Sequence, residues 1–181
     1  MRVHDGDLPG ILVFTPQPLR DDRGFFTRTF DTAVARDAGI DATSFVQDSQ
    51  SRSHRGVVRG LHLRTGAGEA KLVRCSYGAV FDVLVDLRVK SDTFGQWMSL
   101  RLDDVHHRSV YVPAGFGHGF QALTEPADIC YRIDRPHDPG HDVTVRWDDD
   151  EIAVTWPLPV TAMSARDRTA RPLREVLGQL G

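Results

Sequence analysis

The chain has 181 residues and a formal net charge of −3 at pH 7, with 40% hydrophobic and 26% charged residues. This weak negative charge provides no basic field that would attract nucleic acid or an anionic membrane. No run reaches the ~20 apolar residues of a membrane helix, and no apolar stretch follows the charged start of the chain, so we expect a cytoplasmic protein without a signal peptide.

Short apolar or alternating runs separated by turn residues predict β-strands along most of the chain. No linker or repeat divides it, so we expect a single domain over residues 1–181. Regular spacing of many strands favours a sandwich or a small barrel. In chain order the predicted strands cover residues 10–15, 24–30, 44–51, 56–63, 71–89, 97–102, 109–112, 119–123, 129–133 and 143–147.

Two helices are predicted. Residues 31–39 form the one clear internal helix, with Asp31 as a possible N-cap and Gly39 as a stop. Residues 171–180 form a terminal helix that begins near Pro172, because proline is favoured in the first helical turn.

Two groups of reactive side chains are expected to be structural. Cys75 and Cys130 lack the spacing of a metal site and lie in apolar runs, which predicts buried, reduced thiols. The four carboxylates at residues 148–151 predict a solvated turn rather than a metal or acid–base site.

The most informative residues are Arg59-Gly60-Leu61-His62 and, nine residues later, Lys71. A histidine and a lysine held on adjacent strands can carry out carbanion chemistry. The histidine can remove a proton next to a carbonyl, and the lysine can hold the oxygen that becomes negative.

Residues 113–118 read Pro-x-Gly-x-x-His and resemble the second motif of the cupin superfamily, a jelly-roll β-barrel. The first cupin motif would supply His-x-His and a later glutamate, but here the matching place reads His62-Leu63-Arg64. A guanidinium is a poor metal ligand, which leaves two histidines where a metal site uses three or four ligands. The pattern counts against a metal, although Glu69 leaves a metal-dependent cupin oxygenase open.

A series of motifs runs through nearly the whole chain, at 22–26, 45–48, 56–62, 71–75, 81–83, 86–88, 93–95, 113–120 and 156–157. In this order and spacing they resemble the dTDP-4-dehydrorhamnose 3,5-epimerase family of deoxysugar biosynthesis. The resemblance implies an all-β fold, a cupin-type jelly-roll barrel or sandwich with a few short peripheral helices. It also implies an isomerase that inverts C3, C5 or both in a nucleotide-linked, foremost dTDP-linked, 4-keto-6-deoxyhexose, with no metal and no cofactor.

The same resemblance assigns four catalytic roles. His62 would be the base and Asp167 its partner, since a carboxylate on one ring nitrogen fixes the tautomer and stabilises the imidazolium. Lys71 would stabilise the enolate oxygen. Tyr131 would deliver the proton from the opposite face of the sugar ring.

Substrate contacts are implied as well. Phe26 belongs to an N-terminal strand that the family exchanges between subunits, so a homodimer with composite sites is expected. Residues matching Arg23 and Arg59 face the pyrophosphate in the family. The full set implied to contact or surround the sugar nucleotide is Arg23, Phe26, Arg28, Gln47, Ser49, Arg59, His118, His137 and Arg166.

The chain departs from the family pattern at several of these positions. Arg28 stands where the family typically has glutamate, Ser49 replaces a common asparagine, and Arg166 stands where lysine is frequent. The second tyrosine usual near Pro136 or His137 is missing. These departures leave open the nucleotide base and which carbon is inverted.

Three alternatives therefore remain beside the leading hypothesis. One is a mono-epimerase or ketoisomerase of an unusual secondary-metabolite sugar. Another is the metal-dependent cupin oxygenase, and the third is a sugar-nucleotide binding module without catalysis. His118 stays open between a pocket residue and a structural anchor.

Overall fold

Two antiparallel β-sheets pack face to face in this computed structural model, which describes residues 1–180. The strands are β1 (Arg2–Asp5), β2 (Leu12–Thr15), β3 (Leu19–Asp21), β4 (Gly24–Phe26), β5 (Gln47–Ser53), β6 (Val58–Arg64), β7 (Lys71–Tyr77), β8 (Ala79–Asp86), β9 (Trp97–Asp103), β10 (Ser109–Val112), β11 (Phe116–Ala122), β12 (Ala127–Ile133) and β13 (Asp142–Thr144). The helices are α1 (Thr32–Asp37), α2 (Ala165–Arg168) and α3 (Leu173–Leu180), with a short 3-10 helix at Pro139–His141.

From β5 to β8, and again from β9 to β13, successive strands alternate between two sheets. One sheet has the order β1-β2-β10-β7-β12-β5, and the other has the order β13-β6-β11-β8-β9. β3 and β4 form a separate hairpin. This confirms the expected all-β jelly-roll sandwich with a few short helices.

Side-chain alternation along the strands divides the buried residues into layers. In β8, Val80 and Leu84 join the core between the sheets, whereas Val83 and Val85 join a second cluster on the outer face of the five-stranded sheet. β8 is therefore buried on both faces. Burying each such side chain stabilises the fold by about 1.5–3 kcal/mol.

The segment after β13 covers that outer face. Val143 and Val145 pack there together with Leu173 and Val176 of α3. α2 lies in the same segment and begins at Ser164, whose hydroxyl accepts a hydrogen bond from the Asp167 backbone amide at 3.0 Å. The C-terminal segment thus brings α2 against β6.

The predicted helices are confirmed. The Asp31 carboxylate accepts hydrogen bonds from Ala33 and Val34 at the start of α1, and Gly39 follows its end with a φ of +82°. The terminal helix is α3, which begins directly after Pro172.

Some strand predictions need correction. The run at 71–89 is two strands, because the chain turns at Gly78 (φ +73°), where a Cβ would meet the Pro126 carbonyl oxygen at 2.5 Å. The strand predicted over 24–30 ends at Phe26. The short polar strands β1 and β3 were not predicted, because their residues are mostly exposed and lack an apolar alternation.

The prediction of buried thiols is confirmed, but the prediction of a solvated turn at residues 148–151 is wrong for Asp149. Cys75 and Cys130 are free and buried. Asp149, in contrast, is 2% exposed and accepts backbone hydrogen bonds from Glu151, Ile152 and Leu173. It therefore anchors the start of α3 instead of facing solvent.

Among residues 1–180, no helix has the length and apolar character needed to cross a membrane.

Candidate active site

An open cavity of about 330 Å³ lies between the ends of the two sheets. Its walls come from β5, β6, β7 and β12 together with β13 and α2, because alternate side chains of each strand point inward. The lining residues are Gln47, Ser49, His62, Leu63, Arg64, Glu69, Lys71, Ile133, His137, Asp142 and Arg166.

His62 and Asp167 form a hydrogen-bonded pair at this cavity. His62 Nε2 lies 2.6 Å from Asp167 Oδ1, with the carboxylate side chain 3% exposed and the imidazole 36% exposed. Burial acts to raise the pKa of the Asp167 carboxyl, but the hydrogen bond and the charge of His62, with a smaller contribution from Ser164, hold that pKa below its ordinary value. A charged carboxylate on Nε2 leaves Nδ1 as the nitrogen with a free lone pair, which suits a base.

Lys71 lies in an ion-paired cluster on the same cavity. Its Nζ lies 2.9 Å from Glu69 Oε1, and Arg64 Nη1 lies 2.9 Å from the other carboxylate oxygen of Glu69. Arg64 also donates to Asp142 Oδ1 at 2.9 Å and to the Pro136 carbonyl oxygen at 2.8 Å. The cupin ligand position is thus filled by a guanidinium that binds carboxylates.

These residues do not fit a metal ion. Glu69, the carboxylate that had left a metal site open, is engaged by two cations. Within residues 1–180, no group of three or more His, Cys, Asp or Glu side chains is arranged to hold a metal.

Tyr131 projects from β12 into the space between the sheets. Its hydroxyl lies 3.3 Å from Ser51 Oγ. Burial raises the pKa of Tyr131 well above its ordinary value, and the hydrogen bond with Ser51 offsets this only in part. The phenol therefore carries its proton at neutral pH.

His118 is buried next to Tyr131. The two rings are edge-to-face with centroids 6.1 Å apart, and His118 Nε2 lies 2.9 Å from Asp82 Oδ1. His118 is 4% exposed and Asp82 is fully buried. His118 also pairs across the strands with His62, so it supports the strand that carries the candidate base.

The expectation that His62 and Lys71 lie on adjacent strands is wrong. β6 belongs to the five-stranded sheet and β7 to the six-stranded sheet, because residues 65–70 cross from one sheet to the other. Tyr131 also lies on the six-stranded sheet. The candidate base therefore faces the candidate oxyanion cation across the cavity, and the candidate proton donor lies on the same sheet as that cation.

The structure brings four of the predicted substrate contacts to the cavity: Gln47, Ser49, His137 and Arg166. Arg166 Nε donates to Thr144 Oγ1 at 2.7 Å. Arg59 lies on β6, the strand that carries His62, but is not among the lining residues; its guanidinium donates to Ser53 Oγ at 3.0 Å and to the Arg52 carbonyl oxygen at 3.1 Å.

Three other predicted contacts lie outside the cavity of a single chain. Arg23 pairs with Asp21 at 2.6 Å on the β3–β4 hairpin, and Phe26 of the same hairpin is 67% exposed. Arg28 pairs with Asp31 at 2.7 Å at the start of α1.

Sequence reasoning missed Ser51, Asp142 and the ion pairs of Glu69 with Arg64 and Lys71. Ser51 could have been found, since it follows Gln47 and Ser49 at a spacing of two along β5 and so shares their face. Asp142 reaches Arg64 across the β6–β13 pairing, a contact between distant residues for which no local signal exists.

The arrangement can move protons on two faces of a small molecule. A histidine with a buried carboxylate partner occupies one wall and an ammonium occupies the opposite wall, while the buried phenol of Tyr131 lies on the same sheet as the ammonium. Such a site suits removal and return of a proton next to a carbonyl group.

Comparison with known proteins gives consistent matches. Residues 5–175 match the family model described as dTDP-4-dehydrorhamnose 3,5-epimerase. The chain is 41% identical over 171 residues to the dTDP-4-dehydrorhamnose 3,5-epimerase of Methanothermobacter thermautotrophicus, covering 93% of this chain and 92% of that protein. It is 40% identical over 176 residues to a dTDP-4-dehydrorhamnose 3-epimerase of Streptomyces niveus, covering 97% of this chain and 85% of that protein.

A solved structure also aligns over nearly the whole chain. It is the epimerase RmlC from Legionella pneumophila in complex with dTDP-4-keto-L-rhamnose, with a TM-score of 0.94 and 34% sequence identity. The alignment covers 99% of this chain and 96% of that chain.

Proposed function

Because the chain belongs to the dTDP-4-dehydrorhamnose 3,5-epimerase family, we propose that the cavity between its sheets is the active site. The chain is an isomerase of deoxysugar biosynthesis that epimerises a nucleotide-linked 4-keto-6-deoxyhexose at C3, C5 or both. The reaction proceeds by deprotonation and reprotonation through an enolate. No external electron sink is required for this chemistry, because the 4-keto group acidifies the hydrogens on the carbons next to it.

The observation that carries the catalytic assignment is the 2.6 Å pair of His62 and Asp167 at the cavity wall. His62 removes the proton from the carbon next to the ketone, and Asp167 orients the ring and stabilises the imidazolium. Lys71 then holds the enolate oxygen as its negative charge develops. Tyr131, on the facing sheet, returns a proton to the other face of the same carbon, which inverts it.

The sugar nucleotide is held around this acid–base set. Gln47, Ser49, His137 and Arg166 contact it from the cavity wall, and Arg59 faces its pyrophosphate. Arginine suits this role because its planar guanidinium makes paired hydrogen bonds with phosphate oxygens. His118 shapes the cavity floor through its bond to Asp82 rather than by taking part in proton transfer.

The active form is a homodimer with exchanged N-terminal strands. Leu19, Phe25 and Phe26 of the β3–β4 hairpin are 71%, 52% and 67% exposed, an apolar surface typical of a subunit interface. In the dimer this hairpin brings Arg23 and Phe26 to the partner's cavity, with Arg28 at its edge. We also propose that residues 1–181 form a single domain and that the protein is cytoplasmic.

Inversion of C3 alone is the second candidate. The Streptomyces niveus relative named a 3-epimerase covers 97% of this chain at an identity similar to that of the 3,5-epimerase relative. Overall sequence identity therefore does not indicate which carbon a member of this family inverts. The carbon that acquires deuterium from solvent decides between the two reactions.

The test is solvent exchange on dTDP-4-keto-6-deoxyglucose in heavy water, followed by NMR. Wild-type protein should introduce deuterium at C3, C5 or both. His62→Ala should lower the exchange rate by about 10²–10⁴-fold, the usual contribution of a general base. His4→Ala, at an exposed position on β1, is the matched control and should exchange like the wild type. A wild-type protein that exchanges neither carbon on dTDP, CDP or GDP 4-ketosugars would refute the proposal.

A further inference from the structure

Glu69 is a buried carboxylate in the cavity wall that the assignments above leave without a role. Its side chain is 7% exposed, and the two cations beside it, Arg64 and Lys71, are 7% and 11% exposed. Its two oxygens are divided between them, with Oε1 2.9 Å from Lys71 Nζ and Oε2 2.9 Å from Arg64 Nη1. A carboxylate at this depth is stable only where opposite charges surround it.

The cluster is asymmetric. Arg64 has further partners, since it also donates to Asp142 and to the Pro136 carbonyl oxygen. For Lys71, Glu69 is the only ion-pair partner among residues 1–180. Whatever changes the charge of Glu69 therefore acts on Lys71 more than on Arg64.

We propose that Glu69 is a positioning residue that holds the Lys71 ammonium charged and directed at the ketone oxygen of the substrate. Arg64, which pairs with the same carboxylate, weakens the attraction between Glu69 and Lys71. The inference rests on the proposed function, because Lys71 must stabilise an enolate for the arrangement to matter. An ammonium has three N–H donors, so an ammonium paired with Glu69 still has donors for the substrate oxygen. The proton that moves in the reaction goes from carbon to His62.

In this proposal Lys71 must stay charged and must also remain free to bind the enolate oxygen. Sharing one carboxylate between Lys71 and Arg64 meets both requirements. Without Glu69, the ammonium would lie beside the Arg64 guanidinium in a poorly solvated wall, with no opposite charge to offset the repulsion between the two cations. With Glu69 and without Arg64, the carboxylate would be available to Lys71 alone and would compete more strongly with the enolate oxygen. In the observed cluster Glu69 pairs with both Lys71 and Arg64, so Lys71 has an opposite charge beside it but does not hold that charge alone.

Other charged and titratable groups also surround Lys71, but none lies within ion-pair distance of it in the described part of the chain. Burial of Tyr131 raises its pKa well above its ordinary value, so its ionisation lies at high pH. At the shared cavity, β6 presents His62 and Arg64, β13 presents Asp142, α2 presents Arg166 and the segment after β12 presents His137. Tyr131 lies on the neighbouring strand β12, and Asp134 accepts a hydrogen bond from the Ala70 amide next to Lys71.

The test measures the pH dependence of kcat/KM for three variants. In Glu69→Gln the alkaline limb should move to lower pH by about one unit or more, and kcat should fall more than KM rises. In Arg64→Gln the alkaline limb should move to higher pH. The double variant should return the limb towards the wild-type position. Glu151→Gln, at an exposed glutamate, is the matched control with an unchanged profile.

The outcomes separate this inference from the proposed function. A folded Glu69→Gln variant with the wild-type alkaline limb overturns the inference while wild-type solvent exchange still supports the epimerase. If Glu69→Gln does not fold, Arg64→Gln decides, and a limb that stays in place or moves to lower pH overturns the inference. A wild-type protein without solvent exchange overturns both.

Discussion

At the scale of single residues, the environment of Asp167 decides what His62 can do. The carboxylate is nearly fully buried, yet the charge and the hydrogen bond of His62 keep its pKa low, so it remains an anion beside the ring. An anion at Nε2 fixes the tautomer and leaves the Nδ1 lone pair free to accept a proton. The proposed role of His62 as a base therefore rests on its pairing with Asp167 and not on its position in the sequence alone.

Replacing Asp167 by asparagine should lower kcat by about 10²–10⁴-fold, because the neutral amide neither stabilises the imidazolium nor selects the tautomer. Affinity for dTDP should change little, since the Asp167 side chain is buried behind His62. Steady-state kinetics and a dTDP titration check the two expectations. Asp150→Asn, at an exposed position, serves as the control. A variant with wild-type kcat would remove Asp167 from the catalytic set.

The low pKa of Asp167 also has a consequence for acid stability. A carboxyl whose pKa is lowered by folding stabilises the folded state above its unfolded pKa, near 3.8, and this contribution is lost as pH falls through the folded value. The loss of stability between these two values should be shallower in Asp167→Asn than in the wild type, as urea unfolding at a series of acidic pH values would reveal.

At the scale of strands, the sequence predicted where most strands lie better than which strands are neighbours. Apolar runs bounded by turn residues are a local signal. The placement of His62 and Lys71 in facing sheets depends on where residues 65–70 cross, which is set by contacts between distant segments. The candidate acid–base residues were named from motifs, whereas the contacts of Arg64 with Glu69 and Asp142 have no local signal in the sequence.

The pairing of β6 with β11 depends on two glycines that let the backbones approach closely. A Cβ on Gly60 would lie 2.5 Å from the Gly119 Cα and 2.9 Å from the His118 carbonyl oxygen. Both are backbone atoms and cannot swing away. The close approach sits between Arg59 and His62, so the position of the base depends on it.

Gly60→Ala should therefore be strongly destabilising, and Gly24→Ala is its matched control. Gly60 has a φ of +129° and Gly24 a φ of +124°, but a Cβ on Gly24 meets nothing within 4 Å. Both variants carry a backbone cost of about 1–3 kcal/mol, and Gly60→Ala adds about 1–3 kcal/mol for overpacking. Urea unfolding should rank Gly60→Ala as the less stable. Equal stability of the two variants would show that the close approach costs nothing.

At the scale of the whole molecule, one chain carries a hairpin that its own fold does not cover. The β3–β4 hairpin pairs only within itself in the described sheets, and Leu19 and Phe26 are among the most exposed large apolar side chains of residues 1–180. Meanwhile the cavity has one open side. An exchanged hairpin would bury its own exposed apolar side chains and close the open side of the partner's cavity, and both would happen in one symmetric contact.

Mixing two inactive variants tests this exchange directly. His62→Ala removes the base, and Arg23→Ala removes a hairpin side chain at an exposed position without changing the apolar contact. If the hairpin completes the partner's cavity, half of the cavities in a mixed dimer combine an intact His62 with an intact Arg23. Epimerisation should then reappear when the two proteins are unfolded together and refolded. If the hairpin serves its own chain, both cavities of every mixed dimer stay defective and the mixture remains as inactive as its components, even where sedimentation shows a dimer.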